Sequence, residues 1–165
     1  MIAMDLRLFM KSIEHGIKED NMKKVIVMNR PKAREYAHEP HSEISIVISI
    51  NDCNMEPNDI PHCKYRNHIA AVLSVFFNDV EAGKGVITTS EARDIVNFVN
   101  RWQSHVDTII VHCNAGISRS AGCAAAILKY FTGSDMQIFG NGFYKPNMKV
   151  YTTVLEEFHK AENNL

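Results

Sequence analysis

One stretch of nine residues carries side chains that could do chemistry: His112-Cys113-Asn114-Ala115-Gly116-Ile117-Ser118-Arg119-Ser120. Cys113 supplies a nucleophilic sulfur. Arg119 follows after five intervening residues, with a planar guanidinium that can bind two oxygens of a phosphate dianion. Backbone N–H groups from Asn114 to Arg119 can add further donors where the chain curls around a helix N-terminus. Gly116 permits the turn that such a curl needs. The stretch therefore predicts a phosphate-binding loop that carries a cysteine nucleophile.

The residues at the two ends of this loop have supporting roles. The hydroxyl of Ser120 can donate to the sulfur and help it leave when a phosphocysteine is hydrolysed. His112 ends a strand, and we expect its ring to hold the backbone of the loop in shape. The positive field of a helix N-terminus favours the thiolate form of Cys113 near neutral pH. The loop thus needs no metal ion or other cofactor to supply positive charge.

The elements that must position the loop alternate between strand and helix. Strands are predicted at 25–28, 44–50, 69–77 and 108–111, and helices at 32–37, 88–102, 119–131, 134–139 and after Pro146-Asn147. The continuous apolar run at 69–77 predicts a strand buried on both faces. This order predicts a three-layer α/β domain, in which helices flank a central and mostly parallel sheet.

Length and composition limit the remaining possibilities. With 165 residues, the chain is expected to form one domain over 1–165, with the first 22 residues as a peripheral helix or arm. The formal net charge of −1 gives no basic surface for nucleic acid. No apolar run reaches the length of a membrane span, and the first ten residues do not resemble a signal peptide. We therefore expect a cytoplasmic protein without nucleic-acid or membrane partners; the sequence favours no particular oligomeric state.

The loop from His112 to Ser120 resembles the signature of the protein tyrosine phosphatase superfamily: His-Cys, five residues, Arg, then Ser or Thr. Its Ala-Gly-Ile-Ser-Arg-Ser form resembles the compact dual-specificity branch more than the larger tyrosine-specific enzymes. Lys145-Pro146-Asn147, with Glu156-Glu157-Phe158 downstream, is similar to a helix start in that branch. The resemblance covers roughly residues 22–165. It implies a dual-specificity phosphatase-like fold and hydrolysis of phosphate monoesters through a phosphocysteine. It also implies that Asn147 braces the catalytic loops.

The reaction also needs a general acid to protonate the leaving oxygen. In the superfamily that the loop resembles, an Asp on a mobile loop some thirty residues before the Cys has this role. Asp79 lies 34 residues before Cys113 and follows the strand at 69–77, at the rim where α/β active sites assemble. Glu81 is the alternative, two residues further on the same loop. Other carboxylates lie too far upstream or on a helix face: Asp52, Asp59 and Asp94.

The other Cys and His residues are expected to be less informative. A zinc site is not expected, because a spacing of nine residues between the cysteines matches no ligand motif in the group Cys53, His62, Cys63 and His68. Cys123 lies one helical turn after Arg119 and could form a disulfide with Cys113. We instead expect Cys123 to be a small apolar side chain buried in the core.

The expected substrate is a phosphorylated protein or a small phosphate monoester. The alternatives are a phosphate- or phosphopeptide-binding pseudophosphatase, a phosphoinositide or RNA 5′-phosphatase of the same superfamily, and a rhodanese-type sulfur carrier. Phosphoinositide enzymes typically place Lys within the loop, whereas this loop has no Lys. The rhodanese type has a shorter active loop and no paired acid.

Overall fold

The structure is a computed structural model that describes residues 24–56 and 68–164. Its elements are β1 (Lys24–Asn29), α1 (Arg30–His38), β2 (Ser45–Asn51), β3 (Ile69–Phe76), α2 (Thr89–Trp102), β4 (Thr108–Cys113), α3 (Arg119–Thr132), α4 (Met136–Phe139) and α5 (Met148–Asn163). These elements confirm the predicted strands and helices, with bounds that agree to within two residues. The predicted arm over the first 22 residues, Asp59, His62 and Cys63 lie outside the described residues.

The four strands form one parallel sheet in the order β1–β4–β2–β3. β4 lies between β1 and β2, with Asn29 opposite Cys113 and Ser49 opposite His112. Because all four strands point the same way, their carboxyl ends meet at one edge, which is where parallel α/β sheets assemble their sites. The predicted α/β class with a mostly parallel sheet is confirmed.

The sheet is covered on both faces, which gives three layers. Every residue of β2 and β4 is buried. On one face Ile48 and Val111 pack in a core cluster with residues of α2, α3 and α5. On the other face Val47 and Ile110 pack with α1. Since successive strand residues point to opposite faces, Cys113 shares the α3 face with Val111.

β3 differs from its prediction. Ala70 and Ser74 are exposed, and the strand pairs with β2 at the end of the described sheet. The prediction of a strand buried on both faces was therefore wrong, because an apolar run does not distinguish a central strand from an edge strand whose outer positions are small. Among the described residues, no helix has both the length and the apolar character that a membrane crossing requires.

The helix ends follow their sequence signals. Thr88 caps α2 in a capping box with Glu91, as predicted. Gly133 ends α3 in the left-handed conformation, with a φ of 76°. Asn147 caps α5 through its side-chain oxygen, which accepts from the N–H of Val150. These caps fix the start of α2, the end of α3 and the start of α5.

Candidate active site

The candidate phosphate-binding loop joins the end of β4 to the start of α3. Gly116 at its centre has a φ of 69°, and a Cβ there would lie 2.6 Å from the backbone nitrogen of Asn29. A side chain at position 116 is therefore disfavoured both by the left-handed backbone conformation and by the lack of space. The carbonyl oxygen of Asn114 accepts a hydrogen bond of 3.2 Å from the N–H of Arg30, so the loop also rests on the start of α1.

Cys113 lies at the bottom of this loop with its side chain buried. Its sulfur is 3.1 Å from the hydroxyl oxygen of Ser120, and the N–H of Gly116 donates to it over 3.3 Å. The amide donor, and the hydroxyl where it donates, can stabilise negative charge on a sulfur at the N-terminus of α3. The arrangement suits a nucleophilic thiolate.

Arg119 is the first residue of α3 and is 5 % exposed. Its Nη1 donates to Asp52 Oδ1 at 2.6 Å and to the carbonyl oxygen of Phe77 at 2.8 Å. Its Nε is buried and has no hydrogen-bond partner among the described residues. Buried donors in proteins are nearly always hydrogen-bonded. The Nε–H of Arg119 has no described acceptor, and a bound anion would supply one.

Asp79 reaches the rim of the loop from the segment after β3. Its Oδ1 accepts hydrogen bonds from the hydroxyl of Ser118 at 2.7 Å and from the side-chain amide of Asn147 at 2.9 Å. Glu81, the alternative acid, instead accepts from the N–H of Met148 at 3.1 Å, at the start of α5. The two carboxylates thus differ in what holds them: Asp79 is bonded to the loop, and Glu81 to a helix end.

Asn147 connects three parts of the site. Its amide nitrogen reaches Asp79 and, at 3.3 Å, the carbonyl oxygen of Val80. Its backbone N–H donates to the carbonyl oxygen of Ser118 at 3.1 Å. Its carbonyl oxygen lies so close to α3 that a Cβ on Gly122 would be 2.5 Å away. The sequence-based expectation that Asn147 braces the loops thus has a geometric basis in these contacts.

His112 is fully buried beneath the loop, and neither ring nitrogen has a hydrogen-bond partner among the described residues. Burial lowers the pKa of His112 to about 4; the backbone of Cys113 partly offsets this effect, and the charges of Arg30 and Arg34 lower the pKa further. The ring is therefore neutral near pH 7. The ring packs beneath the loop, and its role in holding the loop backbone in shape stays a prediction.

The other described cysteines, Cys53 and Cys123, are free thiols, as is Cys113. Burial raises the pKa of Cys123 to about 12, which makes it unreactive, and it packs in the core as predicted. Cys53 is exposed on the segment after β2. No group of three or more His, Cys, Asp or Glu side chains gathers as a metal site within residues 24–56 and 68–164.

Three residues of this site were not predicted from the sequence: Arg30, Asn51 and Asp52. Asn51 is fully buried at the end of β2 and accepts from Arg30 Nη1 at 3.1 Å. Asp52 was set aside as a distant carboxylate, whereas it is bonded to Arg119. All three lie at the end of a strand or directly after it, at the carboxyl edge of the sheet. That position could have marked them as candidate site residues in the sequence.

The sequence matches no known family profile and no curated protein. Solved structures do match it. PTPMT1 in complex with PI(5)P is 17 % identical, with a TM-score of 0.57 over 87 % of this chain and 96 % of that one. Human DUSP28 is 14 % identical, with a TM-score of 0.56 over 88 % and 98 % of the two chains. OH1, a tyrosine phosphatase from the Orf virus, is 16 % identical, with a TM-score of 0.55 over 84 % of each. The chain therefore shares the fold of these solved structures, and the predicted dual-specificity phosphatase-like fold is confirmed.

Proposed function

We propose that this protein hydrolyses phosphate monoesters through a covalent phosphocysteine on Cys113. The observation that carries the proposal is the pairing, on one loop, of a hydrogen-bonded buried thiol with Arg119, whose buried Nε has no partner among the described residues. The loop amides and this guanidinium belong to the same short stretch of chain as the sulfur. A phosphate dianion satisfies all of these donors together.

In the first step the Cys113 sulfur attacks phosphorus and forms an S–P bond, while the P–O bond to the leaving group breaks. Arg119 and the loop amides stabilise the equatorial oxygens as charge develops on them. Asp79 gives its proton to the leaving oxygen. The hydrogen bonds from Ser118 and Asn147 support this role because they hold the carboxyl group at the rim of the loop.

In the second step a water molecule attacks phosphorus, the S–P bond breaks, and orthophosphate is released. Asp79 accepts the proton of that water. The electron pair of the S–P bond returns to Cys113 as a thiolate, which the hydroxyl of Ser120 stabilises at 3.1 Å. No metal ion enters either step, because the positive charge comes from Arg119 and the helix N-terminus.

The proposed substrates are phosphorylated tyrosine, serine or threonine residues of proteins, or small phosphate monoesters. The fold supports this class, since the solved neighbours include human DUSP28 and a viral tyrosine phosphatase with triple substrate specificity. The PTPMT1 neighbour was solved with PI(5)P, so a phosphoinositide belongs in the test. A cytoplasmic location is part of the proposal, and the free thiols of Cys53, Cys113 and Cys123 agree with it.

The test measures p-nitrophenyl phosphate hydrolysis, together with mass spectrometry of the trapped enzyme. We expect turnover that vanadate inhibits, an adduct of one phosphate on the peptide that contains Cys113, and loss of both in Cys113→Ser. Cys53→Ser is the matched control and should keep full activity, since Cys53 lies exposed outside the loop. Full activity of Cys113→Ser would overturn the proposal. A panel of phosphopeptides and PI(5)P then assigns the substrate.

A further inference from the structure

Arg30 is a buried cation that the proposed reaction does not use. It is the first residue of α1 and is 9 % exposed. Burying a guanidinium is costly unless its charge is compensated. Its described hydrogen-bond acceptors are neutral: Asn51 Oδ1 at 3.1 Å and the thioether sulfur of Met55 at 3.5 Å. A buried Arg with weak, uncharged acceptors needs another source of stabilisation.

The backbone of Arg30 is joined to the phosphate loop. Its N–H donates to the carbonyl oxygen of Asn114 over 3.2 Å, directly after Cys113 in the chain. Asn29, the preceding residue, lies opposite Cys113 in the sheet and touches the space that Gly116 leaves open. Arg30 therefore fixes the loop from the β1 side.

The side chain of Arg30 reaches from the end of β1 to the end of β2. There it bonds Asn51, whose backbone oxygen accepts from the N–H of Phe77 at 2.9 Å. Phe77 and Asp52 are the two residues that hold Arg119 Nη1. The two buried guanidinium groups are thus held by adjacent residues of one segment, so Asn51 links the position of Arg30 to that of Arg119.

The charge of Arg30 also acts on the sulfur. Burial and the like charges of Arg34 and Arg119 lower the pKa of Arg30, whereas Asp52 and, more weakly, Cys113 raise it. Arg30 therefore places a second positive charge near the sulfur, in addition to that of Arg119. Within residues 24–56 and 68–164, the charged and titratable groups on the elements around Cys113 are Arg30 and Arg34 of α1, Asp52 after β2, His112 of β4, Arg119 and Cys123 of α3, and Asp79 through Ser118.

We propose that Arg30 is a positioning residue of the phosphate loop: it fixes the loop and the segment that holds Arg119, and its buried charge stabilises the Cys113 thiolate. The inference rests on the proposed function, because it assumes that Cys113 reacts as a thiolate. It adds a second buried cation, outside the signature loop, to the machinery of that reaction.

The test compares Arg30→Met, Arg30→Lys and, as a matched control on the remote surface of α2, Arg101→Met. Two readouts are used: kcat/KM for p-nitrophenyl phosphate, and the pH profile of iodoacetamide alkylation at Cys113, followed by mass spectrometry of its peptide. We expect Arg30→Met to lower kcat/KM by roughly 10- to 100-fold. The midpoint of its alkylation profile should move to higher pH, because a positive charge near the sulfur is removed. Arg30→Lys should keep the midpoint and lose part of kcat/KM, because it has charge without the planar fork. Arg101→Met should change neither.

A folded Arg30→Met with wild-type kcat/KM and a wild-type alkylation profile would overturn the inference while leaving the proposed function intact. If the wild-type protein shows neither turnover nor alkylation of Cys113 at neutral pH, the proposed function and the inference both fail. Circular dichroism separates misfolding from a local effect. If Arg30→Met does not fold, Arg30→Lys decides alone: an unchanged midpoint with lowered kcat/KM supports the positioning role, and unchanged kcat/KM overturns it.

Discussion

Asp52 Oδ1 lies 2.6 Å from Nη1 of Arg119, and the carbonyl oxygen of Phe77 lies 2.8 Å from the same nitrogen. Two acceptors on one nitrogen hold the plane of the guanidinium in a fixed orientation. The buried Nε of the same guanidinium has no partner in the described part of the chain. The side chain of Asp52 is 41 % exposed, so its carboxylate remains accessible to water. The guanidinium that it orients, that of Arg119, is buried.

Asp52→Asn should weaken phosphate binding more than it slows the chemical step. The neutral amide is a poorer acceptor for the guanidinium, so Arg119 loses its fixed orientation. We expect KM for p-nitrophenyl phosphate and the inhibition constant of vanadate to rise about 10-fold or more. Asp94→Asn removes the same charge from the exposed face of α2 and should leave both constants unchanged. Equal constants in Asp52→Asn and the wild type would contradict the anchoring role.

Asp79→Asn should slow turnover and leave phosphate binding nearly intact. The amide can still bond Ser118 and Asn147, but it cannot give a proton to the leaving oxygen. We expect kcat to fall roughly 100-fold or more for an alkyl phosphate, whose leaving oxygen needs the proton most. Glu81→Gln is the matched control, because Glu81 bonds the start of α5 and its loss should affect stability only. A fall in kcat for Glu81→Gln instead would assign the acid to Glu81.

Gly116→Ala should damage the loop through its backbone. The residue has a φ of 69°, and a Cβ would lie 2.7 Å from the carbonyl oxygen of Met28. We expect the free energy of unfolding in urea to fall by about 1–3 kcal/mol and vanadate affinity to fall with it. Gly142→Ala is the control, since its Cβ would meet nothing within 4 Å. Wild-type stability and affinity in Gly116→Ala would show that the loop relaxes freely.

His112 should make the folded protein sensitive to mild acid. Its pKa is about 4 in the fold, against an ordinary value of 6.5, because burial disfavours the charged ring. The unfolded chain therefore binds the proton first. The stability that the neutral ring allows is complete above pH 6.5 and is lost as the pH falls towards 4. Between these values the wild type should lose roughly 3 kcal/mol more free energy of unfolding than His112→Asn does. His105→Asn, at an exposed position, should show the same pH dependence of the free energy of unfolding as the wild type. If His112→Asn also shows the wild-type pH dependence, His112 is not the cause of the acid sensitivity.

The sequence predicted the elements well because their signals are local. Thr88 with Glu91, Gly133 and Asn147 mark helix ends by chemistry that acts within one turn. The loop from His112 to Ser120 was equally accessible, since all of its donors lie on one continuous stretch.

The parts that escaped prediction depend on which strands lie side by side. Arg30 and Asn51 are 21 positions apart in the sequence, and their hydrogen bond follows from the strand order β1–β4–β2. The same order puts β3 at the edge of the described sheet and exposes Ala70 and Ser74. An apolar pattern indicates a strand but not which strands lie beside it. The positions of Arg30, the second buried cation, and of Asp52, which anchors Arg119, therefore required the three-dimensional structure.

Gly122 leaves room on α3 for the carbonyl oxygen of Asn147, which a single added carbon would approach to 2.5 Å. α3 begins at the residue that would bind phosphate, and Asn147 holds the carboxylate that would deliver the proton. Because Gly122 has no side chain, α3 and Asn147 can approach closely. This approach sets the distance between the phosphate-binding residue Arg119 and the proposed acid Asp79. A larger residue at this position would push Asn147 away from α3, and with it the carboxylate of Asp79 that Asn147 holds.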